Sequence, residues 1–300
     1  MDRKVLGAVR GFYHQPVLCE KVVQALVTDP EGVYVDATFG GGGHSRAILD
    51  RLGSKGRLFA LDRDPEAPLD SIQDARFYPI RGNFRDIEVL LGARGVSRIT
   101  GLLADLGLSS HQVDTPERGF SYRFDAPLDL RMNPQEGLPA WAWLAEQKEE
   151  CLAHLLRVYG DLPQARKLAR AIQLSWRPGF TTSDLVQAVQ KTYGSHAHRY
   201  KAQVFQALRI AVNGELEALQ ALLAWCTQAV NPSGRLVVLT YHSGEARLVK
   251  ALYQRPTQEN FCTGHKTYTW QKIAVYRPSA EEVRSNPRSR SAQLWILQKL

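Results

Sequence analysis

Four consecutive glycines, Gly40 to Gly43, follow the apolar run from Val33 to Phe39 and precede a helical pattern from His44 to Leu52. A strand that feeds such a run into a helix brings bare backbone up to a ligand, because no Cβ stands in the way. Asp62 closes the next strand nineteen positions after Gly43, close to the ~20 residue offset at which a carboxylate reaches a pair of ribose hydroxyls. Glycines and acid together describe a cradle for a nucleoside cofactor. The pyrophosphate-binding version fits poorly, since the last small residue of Gly-x-Gly-x-x-Gly/Ala falls on Ser45 or Arg46, and the Lys-Ser/Thr of a phosphate loop is absent. Asp36, just ahead of the glycines, would repel pyrophosphate but suits a cofactor bearing a sulfonium and an ammonium group. S-adenosyl-L-methionine meets both demands. A plain turn-capping role for Asp36 stays open beside this reading.

Asp105-Leu106-Gly107-Leu108-Ser109-Ser110-His111-Gln112 ends another strand, at the edge of an open parallel sheet where ligands bind. The amino group of a cytosine or adenine is a weak nucleophile, so a site acting on one must orient it and accept its proton. Asp105 is the expected catalytic acceptor; the alternative is that it caps the following helix. The segments Arg118 to Asp125 and Leu128 to Met132 interleave cations with aromatics, which suits phosphate contact with base stacking. A solvated loop with its aromatics packed inward has the same composition. His242-Ser243-Gly244-Glu245-Ala246-Arg247 and Asn286-Pro287-Arg288-Ser289-Arg290-Ser291 add further donors. Arg118, Phe120, Arg131, His242, Arg247, Arg288 and Arg290 are therefore the expected contacts to RNA. His and Cys show no metal-ligand spacing, so no metal is expected.

The elements that position these residues alternate. Strands are predicted at 33–39, 57–64, 77–83 and 99–106, with helices at 44–52 and 84–91, which gives a parallel sheet with helices on both faces. After Leu108 the strand signal stops. Loop-like sequence with Pro116, Gly119, Pro127 and Pro134 leads into predicted helices at 141–159, 163–176 and 182–193, then a long amphipathic run from about Arg199 to Val230. Strand composition returns at 234–242, followed by a helix at 245–253 and a last strand at 292–298. The expected organisation is an α/β core from 1–113 and 206–300, interrupted by an all-helical insert at 114–205.

With 300 residues, 44% of them hydrophobic, the chain can build a full enzyme core. Its net charge of +8 suits a polyanionic partner, or simple solubility. Cys19, Cys151, Cys226 and Cys262 are too few and too scattered for a disulfide scaffold. The start, Met1 to Gly7, lacks the apolar core of a signal peptide, and no stretch has the length to cross a bilayer, so a soluble cytoplasmic protein without membrane contact is expected.

In this order the segments resemble the bacterial small-subunit ribosomal RNA cytosine-N4 methyltransferases. The matching pieces are Tyr13 to Leu18, Asp36 to Ser45, Leu61 to Pro65, Gly82-Asn83-Phe84, Asp105 to Ser110 with Gln112, Arg118 to Ser121, Leu128 to Met132, Phe205 to Ile210 and Asn286 to Ser291, and they span nearly the whole chain. The resemblance implies a class I S-adenosylmethionine-dependent methyltransferase core, Rossmann-like and doubly wound, with an inserted helical substrate domain. It implies methylation of the N4 amino group of a decoding-centre cytidine in 16S rRNA, within the 30S subunit, and it is compatible with a homodimer. Carried over by position, Gly42, Gly43, His44, Asp62, Phe84, Asp105 and Gln112 would contact the cofactor, which gives Asp105 a cofactor-holding role beside the proton-accepting one. The chain departs from the pattern at three places. Thr240-Tyr241-His242-Ser243-Gly244-Glu245-Ala246-Arg247 replaces Ser-Phe-His-Ser-Leu-Glu-Asp-Arg, Tyr200-Lys201-Ala202-Gln203 replaces Pro-Ala-Thr-Arg, and Leu294-Trp295 replaces Leu-Arg.

Two other functions stay open from the sequence. A small-molecule methyltransferase would have a closed apolar pocket and a rate insensitive to salt, and a non-catalytic RNA-binding or ribosome-assembly protein would bind RNA without turnover.

Overall fold

The computed structural model describes residues 16–256, 258–259 and 266–300. Part of the expected motif at Tyr13 to Leu18, and Cys262, therefore lie outside the described residues. Strands β1 (Val33–Asp36), β2 (Arg57–Asp62), β3 (Phe77–Arg81), β4 (Ile99–Asp105) and β5 (Val230–Thr240) run parallel. A two-residue pair, β6 (Gln258–Glu259) with β7 (Lys266–Thr267), stands apart, and β8 (Trp270–Tyr276) and β9 (Gln293–Lys299) complete the main sheet. Its order is β3-β2-β1-β4-β5-β9-β8, with β9 antiparallel to both neighbours. This is the expected doubly wound, Rossmann-like sheet of class I methyltransferases.

The sequence makes the central strands apolar on both sides, as a sheet covered on both faces requires. Tyr34 and Val35 in β1 and Leu102, Leu103 and Ala104 in β4 are all fully buried. One face packs on α1 (Cys19–Leu26) and α2 (Gly43–Leu49) through Leu26, Ile48, Leu58 and Leu103. The other packs on α3 (Ile87–Gly92), α10 (Glu215–Ala229) and α11 (Ser243–Gln254) through Leu91, Leu102, Leu222 and Val249. The chain goes from β1 outward to β2 on one side and to β4 on the other. That reversal opens a crevice at the carboxyl ends of β1 and β4, the place where sheets of this kind bind ligands.

Between β4 and β5 come α4 (Ser110–Asp114), α5 (Ala140–Ala145), α6 (Glu149–Gly160), α7 (Ala165–Ser175), α8 (Thr182–Tyr193) and α9 (Ala197–Asn213). α5 to α9 surround a core of their own, which includes Leu128, Leu152, Leu168, Phe180, Leu185 and Leu208. The division expected at 205/206 falls inside α9, a continuous helix. Asn213 at its end donates to Leu130 O and accepts from Met132 N at 2.7 Å each, while Arg63 of the sheet domain donates to Asn213 O. The sheet and the helices are thus stitched together at the base of α9.

Several elements differ from expectation. The helix expected at 141–159 is two, because Lys148 is extended and starts a new helix whose first turn holds Glu149 and Glu150, charges that suit a helix N-terminus. The run from Arg199 to Val230 breaks at Gly214, whose φ of 58° ends α9 and opens α10. The sequence reading has no counterpart for α1, for β8 or for α12 (Ala280–Ser285). β8 is an edge strand with Lys272 exposed, so its pattern lacks the continuous apolar run of the inner strands.

Candidate active site

The crevice holds one cavity of about 830 Å³, lined by the loops after β1, β2, β3, β4 and β5 and by α9, α10, α11 and the 286–291 segment. At the end of β1, Asp36 is fully buried and turned away from this space. It accepts from Thr38 N at 3.1 Å and from the Ser45 hydroxyl at 2.6 Å. The expected encounter of Asp36 with a cationic cofactor is therefore corrected: the carboxylate shapes the turn, and neither oxygen is on the wall. Gly40, Gly41 and Gly43 are on the wall, and a Cβ at Gly41 would meet only open space. Gly42, expected beside them, is off the wall and serves the turn. Its φ is 77°, and a Cβ there would stand 2.6 Å from the Phe39 ring, so glycine is required sterically.

Asp62 at the end of β2 accepts from Gly40 N at 2.7 Å and from Asp64 N at 2.8 Å, which fixes the glycine loop against the second strand. Burial pushes its carboxyl up to about 6, against the opposing pull of those two N–H groups. Phe84, half-buried beyond β3, supplies an apolar wall. Gln112 also borders the cavity, but both ends of its amide are engaged: Nε2 donates to Asp64 at 2.7 Å and Oε1 accepts from Ser109 N. Ser109, and not Asp105, caps α4, in a capping box with Gln112.

Asp105 ends β4. Its backbone N–H donates to the Thr38 hydroxyl at 2.6 Å, joining the β1 and β4 loops. Its Oδ1 accepts from the Tyr241 hydroxyl at 2.7 Å, and its Oδ2 lies 3.6 Å from Nδ1 of the buried His44, whose Nε2 meets Val17 O. Burial raises the Asp105 carboxyl above the usual range, opposed by His44 and by the tyrosine hydroxyl. Deeper in the wall, Arg209 and Glu215 form a two-bonded pair at 2.7 and 2.8 Å. Glu245 is 2% exposed and accepts from Tyr241 N at 2.7 Å. Tyr241, Arg209, Glu215 and Glu245 were absent from the expected site. Arg209 and Glu245 sat within quoted motifs, yet nothing in their spacing says that α9, α10 and α11 converge on one cavity.

The whole described architecture, from glycine loop to closing strand, lies within one family match. The model of the MraW methylase family covers residues 11–300. The chain belongs to this family. A protein named ribosomal RNA small subunit methyltransferase H from Bacteroides fragilis is 42% identical over 297 residues, covering 96% of this chain and 97% of its own. The protein of the same name from Nitrosomonas europaea is 42% identical over 308 residues, with 96% and 97% covered.

On the outer side of the site this MraW-family chain departs from several sequence expectations. Arg118 is buried, and it clamps Asp64 at 3.0 Å and Glu66 at 2.7 Å while donating to Arg131 O and Met132 O. Phe120 is buried in the helical core, and Arg131 is locked on Asp129 at 2.7 Å. His242 is buried with Glu245, its Nε2 3.2 Å from a carboxylate oxygen without a well-directed hydrogen bond. In all four the side chain is committed to the fold, so the expected contact to RNA is corrected. Arg288 reaches the cavity wall and pairs with Asp114 at 2.5 Å. Arg247 and Arg290 are exposed. Among the described residues, no group of three or more His, Cys, Asp or Glu is placed to hold a metal ion, and no helix is long and apolar enough to cross a membrane.

Proposed function

We propose that this chain is an S-adenosylmethionine-dependent methyltransferase acting on the N4 amino group of a decoding-centre cytidine in 16S rRNA, within the small ribosomal subunit. The observation that carries the reading is a single cavity that contains both the glycine cradle with Asp62 and the Asp105 carboxylate. The names of the relatives support rRNA of the small subunit as the substrate class. The residues fit the cofactor. Its about 830 Å³ suits a nucleoside-sized ligand, Gly40 and Gly41 present backbone without side chains, and the Asp62 carboxylate stands where ribose hydroxyls would be held. Gly43, His44, Phe84 and Asp105 would complete the holding set, with Gln112 acting through Asp64, and Gly42 through the turn. S-adenosylmethionine supplies, when bound, a methyl group activated by its sulfonium.

The protein's own work is then to orient the amino nitrogen and take its proton. Asp105 is the acceptor: its carboxylate stands on the cavity wall with one oxygen held by Tyr241, and burial raises it above the usual carboxylate range, which strengthens it as a base. The helices of 114–205 form the substrate side of the site, with Arg247, Arg288 and Arg290 facing phosphates at its rim. The test is transfer of radiolabelled methyl from S-adenosylmethionine into 30S particles and 16S rRNA lacking the modification, followed by nucleoside mass spectrometry. Label in N4-methylcytidine is the expected outcome; label in another nucleoside, or none, defeats the proposal.

A further inference from the structure

We infer that Tyr241 is a positioning residue of this site: its hydroxyl holds Asp105 through Oδ1 so that Oδ2 is the oxygen left to take a proton. The inference deepens the methyl-transfer reading and rests on it. Tyr241 follows the last residue of β5 and lines the same cavity as Asp105. It is fixed at three points. Its N–H donates to Glu245 at 2.7 Å, its hydroxyl donates to Asp105 Oδ1 at 2.7 Å, and its ring lies against Gly107, where an added Cβ would be 3.4 Å from the ring. Gly107 has φ 106°, a conformation that favours glycine, so the turn just after Asp105 is fixed by its own backbone while the ring packs beside it at ordinary contact distance. No other side chain hydrogen-bonds the Asp105 carboxylate among the described residues, since His44 Nδ1 stays at 3.6 Å from Oδ2.

The phenol is suited to the task. Burial and the adjacent Asp105 hold it protonated far above any working pH, so it acts toward the carboxylate as a donor and does not compete as a base. The balance of the step is simple. The amino nitrogen gains a bond to the methyl carbon and sheds one proton to Asp105 Oδ2, while the electron pair of the cleaved sulfur–methyl bond stays on sulfur. The titratable groups that act on Asp105 are Tyr241 and His44 at the distances given, with Asp36 from β1 and Glu245 from α11 adding like charge from further off. Removing only the hydroxyl leaves the other three in place.

The experiment is Tyr241→Phe in the full chain, with two readouts. In the ligand-free protein labelled with ¹³C at aspartate carboxyls, the Asp105 signal, identified through Asp105→Asn, is expected to titrate about one pH unit higher in the variant, as loss of a hydrogen bond to a charged group implies. In the methyl-transfer assay the acidic limb of kcat is expected to move to higher pH by the same amount. An Asp105 titration identical in the two proteins overturns the inference whatever the activity does. A rate loss that is uniform across pH, with the limb unmoved, also overturns it, because it would mark a merely structural tyrosine. If the wild-type protein transfers no methyl while the titration shift is present, the proposed function falls and the hold of Tyr241 on Asp105 stands.

Discussion

Asp62 carries backbone N–H groups from two different loops on its carboxylate, so it organises the cradle before any ligand arrives. Asp62→Ala is expected to weaken S-adenosylmethionine binding by roughly ten- to a hundred-fold, the worth of one or two bonds to a charged acceptor, and unchanged affinity in calorimetric titration would remove Asp62 from the site. The same carboxyl gives a pH signature. Its folded value of about 6 lies above the ordinary aspartate value of 3.8. A raised folded value contributes stability that is complete below the unfolded value and is lost as pH rises through the folded one. The advantage of the wild type over Asp62→Ala in urea denaturation should therefore be larger near pH 4 than at pH 7, by on the order of 2 kcal/mol; a difference that does not change with pH contradicts the burial argument. Asp62 was legible because its distance from the glycines is set by one β-α-β unit. Arg118 was not, since a cation between aromatics reads the same whether it meets phosphate or, as here, carboxylates 52 and 54 residues away. The Tyr241 hydroxyl was equally hidden, as the pattern that the chain resembles has phenylalanine there.

At the scale of elements, local chemistry was readable wherever a terminator or cap decided it. The helix expected at 182–193 is α8 to the residue, because Thr181 and Asp184 form a capping box and Gly194 ends it. The convergence of α9 and α10 on the cavity was not readable, because it depends on the turn at Gly214 and on a pair that closes it. Arg209 and Glu215 sit on opposite sides of that turn and are largely buried. Removing one member of such a pair strands the other charge. Glu215→Ala is therefore expected to lower stability by about 3 to 5 kcal/mol in chemical denaturation, and the double change Arg209→Met with Glu215→Leu should recover most of that loss. A double variant as unstable as Glu215→Ala alone would show that the pair does more than satisfy its own charges.

For the whole molecule, the layered sheet followed from alternating apolar runs, whereas the surface that meets a polyanion did not follow from charge. The net charge of +8 is an inventory, and burial decides which cations are available. Arg247 and Arg290 are exposed, while Arg118 is spent on holding Asp64 and Glu66 beside the loop from Leu128 to Met132. These two fates separate in one comparison. Replacing Arg247 and Arg290 together by alanine should weaken binding to 16S rRNA, flatten the dependence of log affinity on log salt by about one to two units, and leave the melting temperature unchanged, because lost phosphate contacts release fewer counterions. Replacing Arg118 by alanine should do the opposite, leaving the salt slope of the remaining folded protein as it was while lowering stability by about 3 kcal/mol, since Asp64 is then buried without its cation. A flattened slope for Arg118→Ala at full stability would return that arginine to the RNA interface, and an unchanged slope for the double variant would move the interface away from the 247 and 290 side of the cavity.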